Sequence, residues 1–238
     1  MRRLREIQLA LMLLTRLPAG RIPGEAPALA TARWAFPLVG LFAGLIGWTV
    51  FSLAGAGPVA AVLSIGALAL LTGAMHFDGL ADFADGMGGG RDRNHALEIM
   101  RDSRLGSYGA VALGLVTLLW AMALAELGPG AGPMQFLAIG ALSRAAMVLL
   151  QETLPPARAD GLGHSAAGRT RGGMAAVILT VLAVLLCPNR VLLLGSCLLV
   201  ALAVGAAARR KLGGLTGDVL GATQLLAETA CWVALSLV

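Results

Sequence analysis

The sequence predicts an all-α, polytopic integral membrane protein. It has about seven transmembrane helices, an N-terminal amphipathic interfacial helix and a short cytoplasmic helix. Three observations carry that reading. Hydrophobic residues make up 58% of the 238 positions while charged residues make up 13%, about half of what a soluble domain needs to keep its surface wet. The same hydrophobic fraction excludes disorder. Seven spans of ~20 residues would use about 140 positions and leave about 98 for loops, so the chain reads as one integral membrane domain over residues 1–238.

The first segment, MRRLREIQLALMLLTRLPAG, has a basic start and an apolar middle. A signal peptide would need a small-x-small cleavage site, and here Arg16 and Pro18 follow instead. The apolar run is also too short to span. It reads as an amphipathic helix lying at the interface, with Arg2, Arg3 and Arg5 toward lipid headgroups. The apolar windows that follow fall at 34–54, 58–75, 108–127, 134–153, 173–187, 191–208 and 216–237, the fifth being short.

Basic residues set the orientation. Regions ahead of the first span and between spans two and three, four and five, and six and seven hold 16 of the 18 Lys and Arg residues. Positive-inside bias then puts the N-terminus and the long loops in the cytoplasm and the C-terminus outside. Trp48, Trp120 and Trp232 fall toward the outer ends of their spans, where an aromatic belt belongs. A net charge of +5 could suggest nucleic acid, but the arginines are scattered in short loops without a zinc-finger, RNP-type or basic-helix pattern, so no nucleic-acid partner is expected. Cys187, Cys197 and Cys231 sit in apolar runs without CxxC spacing and read as small buried hydrophobes.

Nearly all the polar chemistry falls on the cytoplasmic side. In HFDGLADFADGMGGG, His76 to Gly90, a continuous helix would place Asp78, Asp82 and Asp85 at i, i+4 and i+7, within ~60° of arc. Three carboxylates on one face repel one another unless a cation joins them, and this oxygen-donor set suits Mg²⁺ or Mn²⁺. Gly86, Gly88, Gly89 and Gly90 follow, permissive enough for a phosphate-cradling nest. They match neither a Rossmann fingerprint nor a P-loop. In RDSRLGSYG, after a short polar helix around 95–100, Arg101 and Arg104 offer charge-assisted bonds to phosphate oxygens and Ser103 a hydroxyl. Asp102 between them could equally be their salt-bridge partner. The segment from Ala159 to Gly173, with His164, Arg169 and Arg171, suits a loop folding over an anionic ligand; a zinc site is not expected there. In GGLTGDVLGATQLLAE, Asp218 stands at the boundary of the last span and Glu228 ~15 Å deeper. Arg144 lies at similar depth in the fourth span, so pairing with Glu228 is plausible.

With TRLP (Thr15 to Pro18), DGLADxxDG (Asp78 to Gly86), RDSRLGSYG (Arg101 to Gly109) and GLTGDVLGATQ (Gly214 to Gln224), the chain resembles the cobalamin synthases over essentially its whole length. These are the membrane enzymes (adenosylcobinamide-GDP ribazoletransferases) that attach the lower-ligand nucleoside loop of vitamin B12. The resemblance implies transfer of the phosphocobinamide portion of adenosylcobinamide-GDP to α-ribazole or its 5′-phosphate, with Mg²⁺ required. The products would be adenosylcobalamin, or its 5′-phosphate, and GMP. It also implies a multi-pass protein of the bacterial cytoplasmic (inner) membrane, its active face toward the cytoplasm.

On that footing Asp78, Asp82 and Asp85 are the expected metal ligands. Arg104, with Arg101 beside it, would stabilise the diphosphate, while Gly86, Gly88, Gly89, Ser103 and Asp218 complete the substrate-binding set. Asp82 and Asp85 are expected to take part in catalysis. Asp85 is the candidate proton acceptor by analogy with CDP-alcohol phosphotransferases, whose motif this segment only partly echoes, since Asp82 stands where their Arg would. Two other readings are a CDP-alcohol phosphotransferase of lipid synthesis, weakened by that incomplete motif, and a transporter, which should concentrate polar groups near the midplane rather than on one face. A homo-oligomer is compatible with the sequence, which leaves oligomeric state open.

Overall fold

In the computed structural model, which describes residues 2–159 and 170–238, the chain is helical. Outside helices, the described residues contain one isolated bridge, Pro156 to Leu215. The helices are α1 (Arg2–Leu14), a single turn α2 (Leu29–Ala32) that runs through Arg33–Ala35 into α3 (Phe36–Leu53), α4 (Pro58–Thr72), α5 (Met75–Gly89), α6 (Arg93–Ile99), α7 (Ser107–Leu127), α8 (Pro133–Thr153), α9 (Arg171–Val184), α10 (Arg190–Lys211) and α11 (Gly217–Ser236). Pro37, Pro58 and Pro133 stand at the starts of α3, α4 and α8, where a missing N–H costs nothing and φ is already helical.

Every expected span is a helix, but not every one reaches across a bilayer. Among the described residues five helices are long and apolar enough: Leu29–Leu53, Ser107–Gly130, Pro133–Thr153, Arg190–Lys211 and Gly217–Ser236. A sixth is counted only if α4 and α5, which meet at 91°, are taken as one broken span. The 14 residues of α9 rise only ~21 Å against a hydrocarbon core of ~30 Å. The expected seven is therefore five, or six with the bent pair.

The outer faces are apolar. Leu115, Leu118, Leu119 and Met122 on α7 and Leu198, Leu199 and Leu202 on α10 are each at least half exposed. A soluble monomer rarely shows such continuous apolar surface, and a lipid-facing helix shows it by necessity. Inside, α8 and α11 are the most enclosed spans. Arg144 on α8 and Glu228 on α11 pair between them at 2.8 Å, both buried, as their matching depths suggested. Lipid tails are as apolar as leucine, so helices here associate through close packing and polar contacts. The tightest seam is α3 against α8. A Cβ added at Gly140 would lie 2.2 Å from the Gly40 carbonyl oxygen, and one at Gly44 2.3 Å from that of Phe136. Farther along, the Phe136 ring packs against Trp232 at a tilt of 59°, with centroids 4.5 Å apart.

Two further expectations meet the structure differently. The three cysteines are free and buried, as read. Trp120 and Trp232, however, are 2% and 1% exposed, so they are core residues and not members of an interfacial belt; only Trp48 is partly exposed. In α1 the buried face is Glu6, Ala10 and Leu14. Glu6 accepts from Trp34 Nε1 at 2.7 Å and pairs with Arg2 and Arg3, which fastens the amphipathic helix to the start of α3.

One end of the bundle gathers the polar connections. Arg33 pairs with Glu152, both fully buried, at 3.4 Å. Glu152 also accepts from the Thr170 backbone and hydroxyl. Arg93 donates to the Leu212 and Ala157 carbonyls at 2.8 and 2.7 Å. Gly140→Ala should cost about 1–3 kcal/mol, because the added methyl meets backbone that cannot swing aside. Gly195→Ala, where a Cβ meets open space, should be neutral. Thermal unfolding in detergent compares them, and equal melting points would mean that the α3–α8 seam is looser than described.

Candidate active site

The site begins with how α4 ends. Gly73 and Ala74 both adopt left-handed backbone, φ +64° and +57°. Gly73 N–H donates to Leu70 O and Ala74 N–H to Ala69 O at 3.2 and 2.7 Å, the paired bonds of a Schellman ending. The chain leaves at 91° to α4, and α5 runs across the N-terminal ends of α7 and α11. Gly79 sits against α11 so closely that a Cβ would lie 3.1 Å from the Gly221 Cα and from the Asp218 carbonyl oxygen. The Met87 carbonyl near the end of α5 accepts from Lys211 Nζ. This helix therefore lies across the polar end of the bundle, against the starts of α7 and α11 and the end of α10.

Its three carboxylates differ by depth. Asp78 is exposed, Asp82 half-buried and Asp85 buried. Burial, reinforced by the charges of Asp78, Asp218 and Asp85, pushes Asp82 up to about 7, against an opposing pull from Arg158. Asp78 and Asp82 on α5 and Asp218 on α11 thus share one field. Among the described residues no three His, Cys, Asp or Glu side chains stand together as a ready metal cage. Mg²⁺ does not ask for one, since it commonly takes one or two carboxylates and completes its shell with water and substrate phosphates. The donor set fits such an ion.

Asp85 is employed elsewhere. Its two oxygens accept the backbone N–H groups of Gly106 and Gly109, each at 2.8 Å. That caps α7, whose own N-cap residue, Gly106, supplies no side chain, and puts a negative charge at the positive end of the helix. A Cβ at Gly106 or Gly109 would lie 2.3 or 2.4 Å from the same carboxylate. The common face expected for Asp78, Asp82 and Asp85 therefore divides, with Asp85 turned to α7.

The glycine run is a correction. Gly86, Gly88 and Gly89 are helical, and none has positive φ, so they form no open nest. They are packing positions: a Cβ at Gly86 would lie 2.4 Å from Met100 Cγ, and one at Gly88 2.3 Å from the Tyr108 ring. Arg104 is exposed and held on Asp102 by its Nε and Nη2, which holds the Asp102 carboxyl down at about 2. Of the two roles open for Asp102, salt-bridge partner is the one the structure realises, and it does not bring Arg104 to the α5 carboxylates. Arg101 and Ser103 are exposed on the same loop. Asp218 accepts from the Thr216 hydroxyl at 3.2 Å, while Thr216 caps α11. His164 and Arg169 lie outside the described residues.

Several residues gain a role that local sequence did not show. Arg158, read as an orientation signal, places its charge beside Asp82 and donates to the Leu97 carbonyl at 2.7 Å. Arg93 and Lys211 staple the loops around α5. A cavity of about 430 Å³ opens between the end of α1 and the α4–α5 break, with Arg16 and Asp78 in its lining. A larger one of about 610 Å³ lies among α3, α8 and α9; it is almost wholly apolar, and none of the site carboxylates lines it.

Residues 6–236 match the family model described as cobalamin-5-phosphate synthase. The chain is similar to the adenosylcobinamide-GDP ribazoletransferase of Sinorhizobium medicae, at 45% identity over 93% of this chain and 91% of that protein. It is similar to the same-named proteins of Bradyrhizobium diazoefficiens, at 41% over 94% and 90%, and Mesorhizobium japonicum, at 40% over 94% and 90%. No solved structure matches it.

The division of labour on α5 can be measured. Asp85→Ala strands two backbone donors and should cost about 1–3 kcal/mol, whereas Asp78→Ala, at an exposed position, should stay within about 0.5 kcal/mol of wild type. Thermal unfolding separates them. If the Asp85 variant melts with wild type, the capping role is wrong.

Proposed function

The chain belongs to the cobalamin-5-phosphate synthase family, and we infer that it transfers the phosphocobinamide portion of adenosylcobinamide-GDP to α-ribazole or its 5′-phosphate, releasing GMP. The product is adenosylcobalamin or its 5′-phosphate, which makes this a late step of cobalamin biosynthesis. The observation that carries the assignment to a place in the fold is the carboxylate face of α5. It sets Asp78 and Asp82 in one field with Asp218 of α11, and Asp78 lines the cleft that holds Arg16.

In the transfer, an acceptor ribose hydroxyl oxygen bonds to the phosphorus attached to cobinamide. The P–O bond to GMP breaks, and the hydroxyl proton leaves to the surrounding carboxylates. Asp78 and Asp82 would hold Mg²⁺, with Asp218 contributing negative charge from α11. When bound, the ion neutralises diphosphate charge and the charge developing on the leaving phosphate. The protein's own contributions are positional. The α4–α5 break brings Asp78 to the cleft with Asp82 one turn further along α5, Asp85 locks α5 to α7, and Arg158 limits the excess negative charge beside Asp82. Arg104, on Asp102, takes no step in this reading.

The bias of arginines toward one end supports a multi-pass location in the bacterial cytoplasmic membrane with α5 on the cytoplasmic side. Asp78→Asn and Asp82→Asn should each keep near-normal yield and stability yet lower GMP release at least about tenfold at limiting Mg²⁺. Raising the metal concentration should restore part of the rate. Wild-type turnover by both variants at limiting Mg²⁺ would remove the metal from this face. Independently, cysteines placed at exposed Gly89 and Gly130 should label from opposite sides of sealed vesicles; labelling from one side would overturn the topology.

A further inference from the structure

The segment Thr15–Pro18 lies apart from the α5 carboxylates in sequence, yet it is built into the edge of the site. Thr15 closes α1: its hydroxyl donates to the Leu11 carbonyl at 2.7 Å and accepts from Leu17 N–H at 3.3 Å. The next backbone N–H, of Arg16, donates to the Leu71 carbonyl at 2.7 Å. That bond ties the segment to the last turn of α4, just before the break. There Gly73 serves a second purpose beyond its left-handed φ. A Cβ at Gly73 would lie 2.1 Å from Arg16 Nε and 2.9 Å from its Cγ, so the arginine side chain rests on bare backbone where any other residue would displace it.

The result is the cleft of about 430 Å³ whose lining includes both Arg16 and Asp78. Arg16 is exposed to that space. Several other cations around this end are spent internally: Arg33 on Glu152, Arg104 on Asp102, Arg93 on two carbonyls and Lys211 on a third. Arg16 pairs with no carboxylate among the described residues. A guanidinium seated on a glycine, facing a polar cleft beside a carboxylate suited to Mg²⁺, is complementary to phosphate oxygens, which its planar fork can hold by two parallel bonds.

Resting on the transfer reading above, we propose that Arg16 is a substrate-binding residue that grips a phosphate group in this cleft. The phosphate comes either from the diphosphate of the nucleotide-linked donor or from the 5′-phosphate of the acceptor.

The test uses the full chain in detergent, as wild type, Arg16→Gln and Arg16→Lys. Glutamine keeps much of the side chain's length over Gly73 without charge, and lysine keeps charge without the fork. Two sets of measurements are made: KM and kcat for cobinamide-GDP, α-ribazole and α-ribazole 5′-phosphate, and equilibrium binding of GDP and of α-ribazole 5′-phosphate without turnover. Arg16→Gln should weaken one phosphate-bearing ligand about tenfold or more in both KM and binding, with kcat changing less, and Arg16→Lys should fall between. A loss confined to cobinamide-GDP and GDP identifies the donor diphosphate. A loss for α-ribazole 5′-phosphate that spares α-ribazole identifies the acceptor phosphate. If both variants bind both ligands and turn over like wild type, the proposal is overturned while the transfer reading stands. If wild type binds them in an Arg16-dependent way but releases no GMP, the phosphate site stands and the transfer reading falls.

Discussion

The two left-handed residues at Gly73 and Ala74 are the constraint on which the rest of the site depends. Left-handed backbone costs a residue with a Cβ roughly 1–2 kcal/mol, and Ala74 bears that cost while Gly73 does not. The Schellman bonds at Leu70 and Ala69 offset it, and α5 is then held in place by burial of Leu80, Ala81 and Phe83. Had α4 simply continued, the α5 carboxylates would have run on along the axis of α4. Turned through 91°, they lie across the ends of two other helices instead.

That crossing explains why so much of α5 and its neighbours is glycine. At Gly79 the helix nearly touches the backbone of α11, and at Gly86 and Gly88 it takes Met100 and Tyr108 into its surface. The bundle beneath is held by the same economy. Gly40 and Gly140 let α3 and α8 meet backbone to backbone, and buried ion pairs join α8 to its neighbours at two heights, Arg33–Glu152 and Arg144–Glu228. Breaking one side of such a pair leaves a charge stranded in an apolar surround, at about 3–5 kcal/mol, so these pairs also fix which helix sits beside which. A bundle pinned this way gives α5 a rigid platform.

Hydropathy made the helices legible, because a bilayer demands long apolar runs and little else resembles them. It did not show where the second run stops being a span, since Thr72, Gly73, Ala74 and Met75 look like any weakly polar helix interior. The turn is a backbone event with little hydropathy signature, although a glycine followed by a polar stretch was its one local hint. The Arg144–Glu228 pair was legible because two charges at equal depth in apolar helices have few alternatives. The glycine run is ambiguous in sequence because permissive backbone and close packing call for the same residue, and only the distant Met100 and Tyr108 decide between them. Position along the sequence points Trp120 and Trp232 toward an interface, whereas both are buried and Phe136 on another helix holds Trp232 inside.

Asp78, Asp82 and Asp85 show how far a helical-wheel argument reaches. By angle they are one face, and by residue type they are interchangeable. Depth separates them: exposed, half-buried and buried in chain order. The deepest meets the N-terminus of α7 and spends both oxygens there, which makes it a structural anion. The middle one is starved of solvent and crowded by like charge, so it holds its proton up to about 7 and gains most from an added cation. The outermost opens to the cleft that Arg16 shares. An anionic diphosphate arriving at this face would meet repulsion from Asp82 and Asp218 and attraction from Arg16 and Arg158. The balance of those four, more than the count of carboxylates on one helix, determines whether a phosphate can settle there. The sequence could list the acids of that balance, but the arginines that oppose them lie far off in the chain, Arg16 62 residues before Asp78 and Arg158 76 residues after Asp82, and only the fold brings them together.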